Sequence, residues 1–200
     1  MPNVRWLFAA LILTIGLAPQ TAKAQELGDD ERKQLESGEV LVEARTLEGG
    51  GGVLARARAL VDGDPGAIWK HVAACESYSE FMPRTAESRL VEKSGERVVC
   101  YVRIDMPFPV GDLWSETEAI HRELSGNRFE RRWKLLRGSY TRNEGYWRLV
   151  PWEGDETRTL VTYQLLVRPE KSVPQALLRE AQRRSLPDMI GALRKRAAAH

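Results

Sequence analysis

The chain is poor in the residues from which metal sites and covalent catalysis are built. It has two cysteines and three histidines among 200 residues. Cys75 and Cys100 stand in neither a Cys-x-x-Cys nor a Cys/His context, which excludes the common zinc and dithiol motifs. His200 is the terminal residue, and spacing from Ile68 and Val72 puts His71 on the exposed side of a helix. Gly-x-Ser-x-Gly, His-Glu-x-x-His and comparable signatures are missing, so the sequence calls for no metal and no cofactor. An excess of one charge is missing as well: 30 Lys and Arg face 28 Asp and Glu. Nucleic-acid binders carry a basic surplus that displaces counterions, so no nucleic-acid partner is expected. Long apolar runs are also missing. The longest, residues 6–18, has about thirteen residues against the ~20 that span a bilayer as a helix. The glycine cluster at 49–52 is not a phosphate loop, because that motif needs a strand-to-helix transition and a Lys-Ser or Lys-Thr pair, whereas here a strand follows.

What is present begins with an export signal. A basic start ending at Arg5, the short apolar run, and the small-x-small site Ala22-Lys23-Ala24 are the three zones of a secretory signal peptide over residues 1–24. Cleavage is expected before Gln25, against the alternative of an uncleaved anchor, and places the protein in the periplasm or outside the cell. No Cys follows the apolar run to carry a lipid. Removing the segment takes away Arg5 and Lys23 and no acid, which leaves the mature chain electrically balanced. Residues 25–38 read as a polar, flexible lead-in, and 39–200 as one domain, large enough for a core or a cavity. An oxidising compartment permits a Cys75–Cys100 bridge; both residues are equally suited to be small core side chains.

Alternation then gives a strand at 39–47, with Val40, Val42 and Ala44 opposite Glu43 and Arg45, and a second at 53–61 that makes an antiparallel hairpin with it. Ala55, Ala57 and Ala59 share one face of the second strand, so something packs very close to it. Asp64 is placed as N-cap and Pro65 at the first position of a helix that buries Ile68, Trp69, Val72 and Ala73. Tyr78, Phe81 and Met82 mark a short helical turn that Pro83 ends. Strands are expected at about 87–92, 97–106, 112–122, 128–136, 143–150 and 157–168, separated by turn signals. The last element is a helix with Ser172 as N-cap and a stripe of Leu178, Leu186, Ile190, Leu193 and Ala197, kinked at Pro187.

This order resembles the START-like (SRPBCC) superfamily, in particular its polyketide cyclase/dehydrase and coenzyme Q-binding branch. The resemblance runs from about Gly52 to Ala197. It rests on Asp64-Pro65-Gly66-Ala67-Ile68-Trp69, Tyr78-Ser79-Glu80-Phe81-Met82-Pro83-Arg84, Pro107-Phe108-Pro109 leading to Asp112, Gly145-Tyr146-Trp147-Arg148-Leu149, the stretch 157–163, and Ser172-Val173-Pro174. It implies an α+β helix-grip fold, a curved antiparallel sheet around a long carboxy-terminal helix, with a cavity for an apolar small molecule or lipid. The chain departs from the best-known members in its export signal and its additional first strand. Independently of the family, one amphipathic helix cannot fill the concave side of so many strands, so large side chains or a ligand must do so.

Strand parity supplies cavity candidates. Phe129, Arg131, Trp133 and Leu135 share an inward face, opposite Arg128, Glu130, Arg132 and Lys134. An inward Arg is costly unless paired or wetted; it could meet an acidic head group, or be satisfied by Glu116 or Glu118. Trp114 and Trp147 join Trp133 as rings that either fill the grip or wall a pocket. Met189 and Leu193 face in from the closing helix, and Met82 and Phe108 sit at connections able to act as a gate. The expected function is an exported carrier. A cyclase-like enzyme using Glu116, Glu118, Asp105 or His121 is the first alternative, and an interaction module with a filled core the second. Six basic residues between Arg179 and Arg196 offer contact with an anionic membrane or an acidic partner, though a solvated helix face accounts for them too.

Overall fold

The computed structural model describes residues 27–106 and 111–199, so the expected export signal, the cleavage expected before Gln25 and the gate candidate Phe108 lie outside the described residues. Eight strands form one curved antiparallel sheet in the order β1-β2-β8-β7-β6-β5-β4-β3. They are β1 (Leu41–Thr46), β2 (Val53–Asp62), β3 (Thr85–Ser94), β4 (Arg97–Ile104), β5 (Leu113–Leu124), β6 (Arg128–Gly138), β7 (Tyr140–Trp152) and β8 (Asp155–Pro169). The helices are α1 (Asp29–Glu36), α2 (Pro65–Ala73), α3 (Tyr78–Phe81) and α4 (Gln175–Ala198).

The β1–β2 hairpin forms as its alternation requires, with Ala44 opposite Ala55 and Val42 opposite Ala57. Ala55, Ala57 and Ala59 are buried against Leu186, Ile190 and Leu193 of α4. Methyl-sized side chains let the helix axis come close to the sheet, which is the reason for the alanine face. The Asp64 carboxylate accepts hydrogen bonds from the N–H groups of Gly66 and Ala67 at 2.9 and 3.1 Å, and Pro65 opens α2. That cap satisfies two donors the first turn would leave orphaned.

Two expectations change, and one open alternative is settled. Residues 29–36, read as part of a flexible lead-in, form α1: acids fill its first turn, Glu31 accepts from the Gly28 N–H at 3.1 Å, and Leu35 is fully buried with Leu60 and Trp152. A single apolar residue is enough here because the Arg58 guanidinium ties Glu31 and Glu43 together across the outer face of the hairpin. Ser172 is not the N-cap of α4. Pro174 disfavours helical geometry at Val173, so the helix starts at Gln175, with Pro174 as cap. α4 extends from Gln175 to Ala198 with Pro187 inside it, where the missing N–H removes a bond to the Arg183 carbonyl. The two cysteines, for which two readings stood open, are joined as a disulfide with a Cα–Cα distance of 6.3 Å. It ties the turn after α2 to the middle of β4.

Candidate functional site

Between the inner face of the sheet and the amino-terminal half of α4 lies a cavity of about 530 Å³. The two halves of α4 differ because Leu186, Ile190 and Leu193 descend onto the alanine face of β2, while Leu178 and Ala181 stand over the larger side chains of β7 and β8. Trp133, Trp147 and Tyr163 form its aromatic floor: Trp133 stacks on Tyr163 at 5.5 Å, and Trp147 meets the same ring at 4.5 Å. Val102 and Ile104 of β4 and Leu165 and Val167 of β8 continue the apolar lining, and Tyr78 and Met82 close the side toward α3. The rim is exposed and carries Pro83, Arg84, Leu177, Glu180, Arg184 and Asp188.

The polar groups of the interior form two sets. In the first, Trp133 Nε1–H donates to Asn143 Oδ1 at 3.0 Å, and Asn143 Nδ2–H donates to Ser115 Oγ at 3.2 Å. This chain fixes the indole over Gly145, where a Cβ would stand 2.6 Å from Trp133 Cζ2. The absence of a side chain at 145 is what lets the ring lie flat on the sheet. The second set surrounds Arg131, which is 4 % exposed. Its Nε–H donates to His121 Nε2 at 3.2 Å, Nη2–H reaches Cys100 Sγ at 3.5 Å, and the guanidinium lies 5.9 and 5.7 Å from the ring centres of Tyr78 and Trp133. No carboxylate among the described residues lies within ion-pair distance of it. Burial, the Arg131 charge and the more distant Lys93 push His121 down to about 4, so the imidazole is neutral and its Nε2 lone pair is free to accept. Burial raises the phenols of Tyr78 and Tyr163, and brings Tyr140 up to about 12. The tyrosines are therefore neutral donors, and Arg131 is the one charge in the described interior lining.

Of the residues singled out by parity, Met82, Arg131, Trp133, Trp147 and Met189 line this cavity. Three others sit elsewhere. Leu193 is fully buried in the packed half of α4. Phe129 faces inward but stacks on Trp69 at 5.4 Å under α2. Trp114 lies on the outer face, stacked on Tyr101 at 5.8 Å, because Leu113, Ser115, Thr117 and Ala119 occupy the inward positions of β5. The same parity overturns the proposed partners of Arg131. Glu116 pairs with Arg137, and Glu118 with Arg97 and Lys134, all on the outer face. Glu130, also outward, is buried there: burial opposes its charge, but Arg132 and Arg148 outweigh it and hold the carboxyl below its usual range. Asp105 is exposed. Sequence reasoning missed Ser115, Thr117 and Asn143, although Asn143 has the parity of Gly145 and Trp147. It also treated His121 as a solvated strand residue, whereas it lies edge-on to Trp69 at 5.1 Å.

A curved antiparallel sheet gripping one long carboxy-terminal helix over an apolar cavity defines the helix-grip class of START-like proteins. Residues 61–194 match the polyketide cyclase / dehydrase and lipid transport family, and the chain belongs to that family. A STAR-related lipid transfer protein from Xanthomonas axonopodis has a similar structure, at 21 % identity and a TM-score of 0.69 over 80 % of this chain and 93 % of that one. Human StAR-related lipid transfer protein 5 is similar at 12 % identity and TM-score 0.68, over 81 % and 83 %. The Zhui aromatase/cyclase from a Streptomyces species is similar at 12 % identity and TM-score 0.61, over 72 % and 93 %. No curated protein matches the chain.

Proposed function

We propose that the protein is an exported carrier that holds one apolar small molecule or lipid in the cavity between the sheet and α4. The observation that carries this reading is the cavity itself: about 530 Å³ walled by aromatic and aliphatic side chains, next to an otherwise closely packed core. That volume falls in the range of small-molecule sites. At the packing density of protein interiors, ~0.75, it holds about 400 Å³ of atoms, enough for a single-chain amphiphile or a few fused rings. Lipid transport is part of the family's description, and two of the similar structures are named for lipid transfer. The Cys75–Cys100 disulfide supports export, since such bonds persist in oxidising compartments. Binding is favoured over turnover by the placement of the acids: Glu116 and Glu118 are engaged by cations on the outer face, and the cavity's carboxylates, Glu180 and Asp188, stand at its rim.

The test is mass spectrometry of small molecules released from protein purified under native conditions, followed by thermal-shift and tryptophan-fluorescence titration with what is found. A ligand that binds only the folded state must raise the melting temperature, and Trp133 and Trp147 should report its arrival. A broad lipid and quinone panel that moves neither signal would remove the carrier reading.

A further inference from the structure

We infer that the ligand of this cavity is an amphiphile with an anionic head, a carboxylate or a phosphate monoester, seated against Arg131. The inference rests on the binding reading above and names the chemistry it left open. Four observations converge on it. Arg131 is more than nine-tenths buried, lines the cavity, and is the one charge in its described interior. Its hydrogen-bond partners among the described residues are a neutral imidazole nitrogen and a disulfide sulfur, both weak acceptors for a cation. The acids that would neutralise it are on the far side of the sheet and already engaged by Arg137, Arg97 and Lys134. The phenol of Tyr163, which lines the same cavity and lies within the electrostatic reach of Arg131, is neutral and can donate to an anion alongside the guanidinium.

A buried cation without a counter-charge is among the costliest groups a protein can hold, and an arriving anion relieves that cost. A planar guanidinium presents paired N–H groups that match a carboxylate or phosphate. The aromatic floor of Trp133, Trp147 and Tyr163 then carries the apolar tail toward α4. The predicted specificity is for charge at one end of the ligand and for hydrocarbon along the rest.

The experiment compares dodecanoic acid, dodecyl phosphate, dodecanol and methyl dodecanoate by titration calorimetry on the disulfide-intact protein at neutral pH. Charge-assisted hydrogen bonds discriminate by about tenfold or more, so at least one of the two anions should bind at least about tenfold tighter than dodecanol and the ester. Which anion wins separates a fatty-acid head from a phosphate head. In Arg131→Gln the preference should vanish while dodecanol affinity stays within about threefold. Equal affinity of all four for the unaltered protein would overturn the anionic head and leave the binding reading standing. Binding of none would overturn both. The comparison on the unaltered chain decides the question even if Arg131→Gln fails to fold.

Discussion

Opening the Cys75–Cys100 bond tests how the cavity wall is held. The bridge closes a loop with a sequence separation of 25. Loop-closure entropy then assigns it about 3.5 kcal/mol at room temperature, equivalent to about 7–14 °C of melting temperature in a domain of this size. Both sulfurs are fully buried, so reduction has to be carried out in denaturant before refolding into reductant. The double variant Cys75→Ala, Cys100→Ala supplies the same comparison without a reagent. Either should melt earlier by that amount in calorimetry. A local effect should accompany it, because the segment after Cys75 carries Tyr78 and Met82 into the cavity wall. What remains to hold the segment is Tyr78 O–H to the Val72 carbonyl and the Ser88 hydroxyl, which accepts from the Ser79 N–H and donates to the Glu76 carbonyl. Those bonds keep the fold, so ligand affinity should fall while the circular-dichroism spectrum stays. A melting shift below about 3 °C, beneath the low end of that range, would refute the argument that this bridge is a main restraint on the unfolded chain.

The closing helix supplies a paired test: Leu193→Trp, in the packed half of α4, should cost about 3 kcal/mol or more in urea denaturation, while Ala181→Trp, over the cavity, should fold and lose ligand. Gly145→Ala places a methyl against the Gln164 carbonyl and 2.6 Å from the Trp133 ring; overpacking of about 1–3 kcal/mol and loss of the Trp133–Asn143 bond should appear in denaturation and in tryptophan fluorescence. His121 ties stability to acid. Its pKa falls from 6.5 to about 4 on folding through burial and Arg131, so the unfolded chain takes up a proton that the folded one refuses. Its contribution is fully present above about pH 6.5 and is lost as pH falls toward 4. Allowing for screening at a partly exposed imidazole, the loss is about 1–2 kcal/mol, and His121→Gln should flatten the stability profile in that window.

The fold was legible because local signals agreed with one another. The Asp64-Pro65 cap, the alternation of β1, β2 and β6, and the alanine face of β2 each have a single good structural use, and the molecule uses them that way. Site residues were legible where parity was unambiguous: Arg131, Trp133 and Trp147 follow from alternation alone. Trp114 misled because bulk was read as inwardness. On the outer face it stacks on Tyr101, whose ring in turn has the Arg89 guanidinium 4.3 Å from its centre. A large ring can thus be covered on the outer face by other surface side chains. Leu193 misled for another reason. The stripe along α4 is continuous in sequence, but how tightly each turn meets the sheet depends on which residues of β2, β7 and β8 lie opposite, a long-range pairing that no helical spacing contains.

Arg131 shows why the partner of a buried charge is harder to read than its direction. The strand before it offers Glu116 and Glu118 at nearly matched positions, and proximity along the hairpin makes either a plausible counter-ion. Period two forbids both. β5 puts Glu118 opposite Lys134 and His121 opposite Arg131, so the residue that faces the guanidinium is a neutral imidazole, while both carboxylates face away. A carboxylate at 121 would have closed the site electrostatically, leaving a cavity selective by shape alone. A neutral imidazole satisfies one N–H and leaves the charge in place. The unliganded protein therefore carries a cost that an anion can relieve, and affinity for that anion draws on the same free energy. An Arg131→Met variant should accordingly be at least as stable as the unaltered chain without ligand, since apolar replacement of a buried charge of this kind is often neutral or favourable, and should lose the added stability that an anionic ligand confers. Loss of several kcal/mol in the unliganded variant would mean instead that His121 and Cys100 already satisfy the guanidinium.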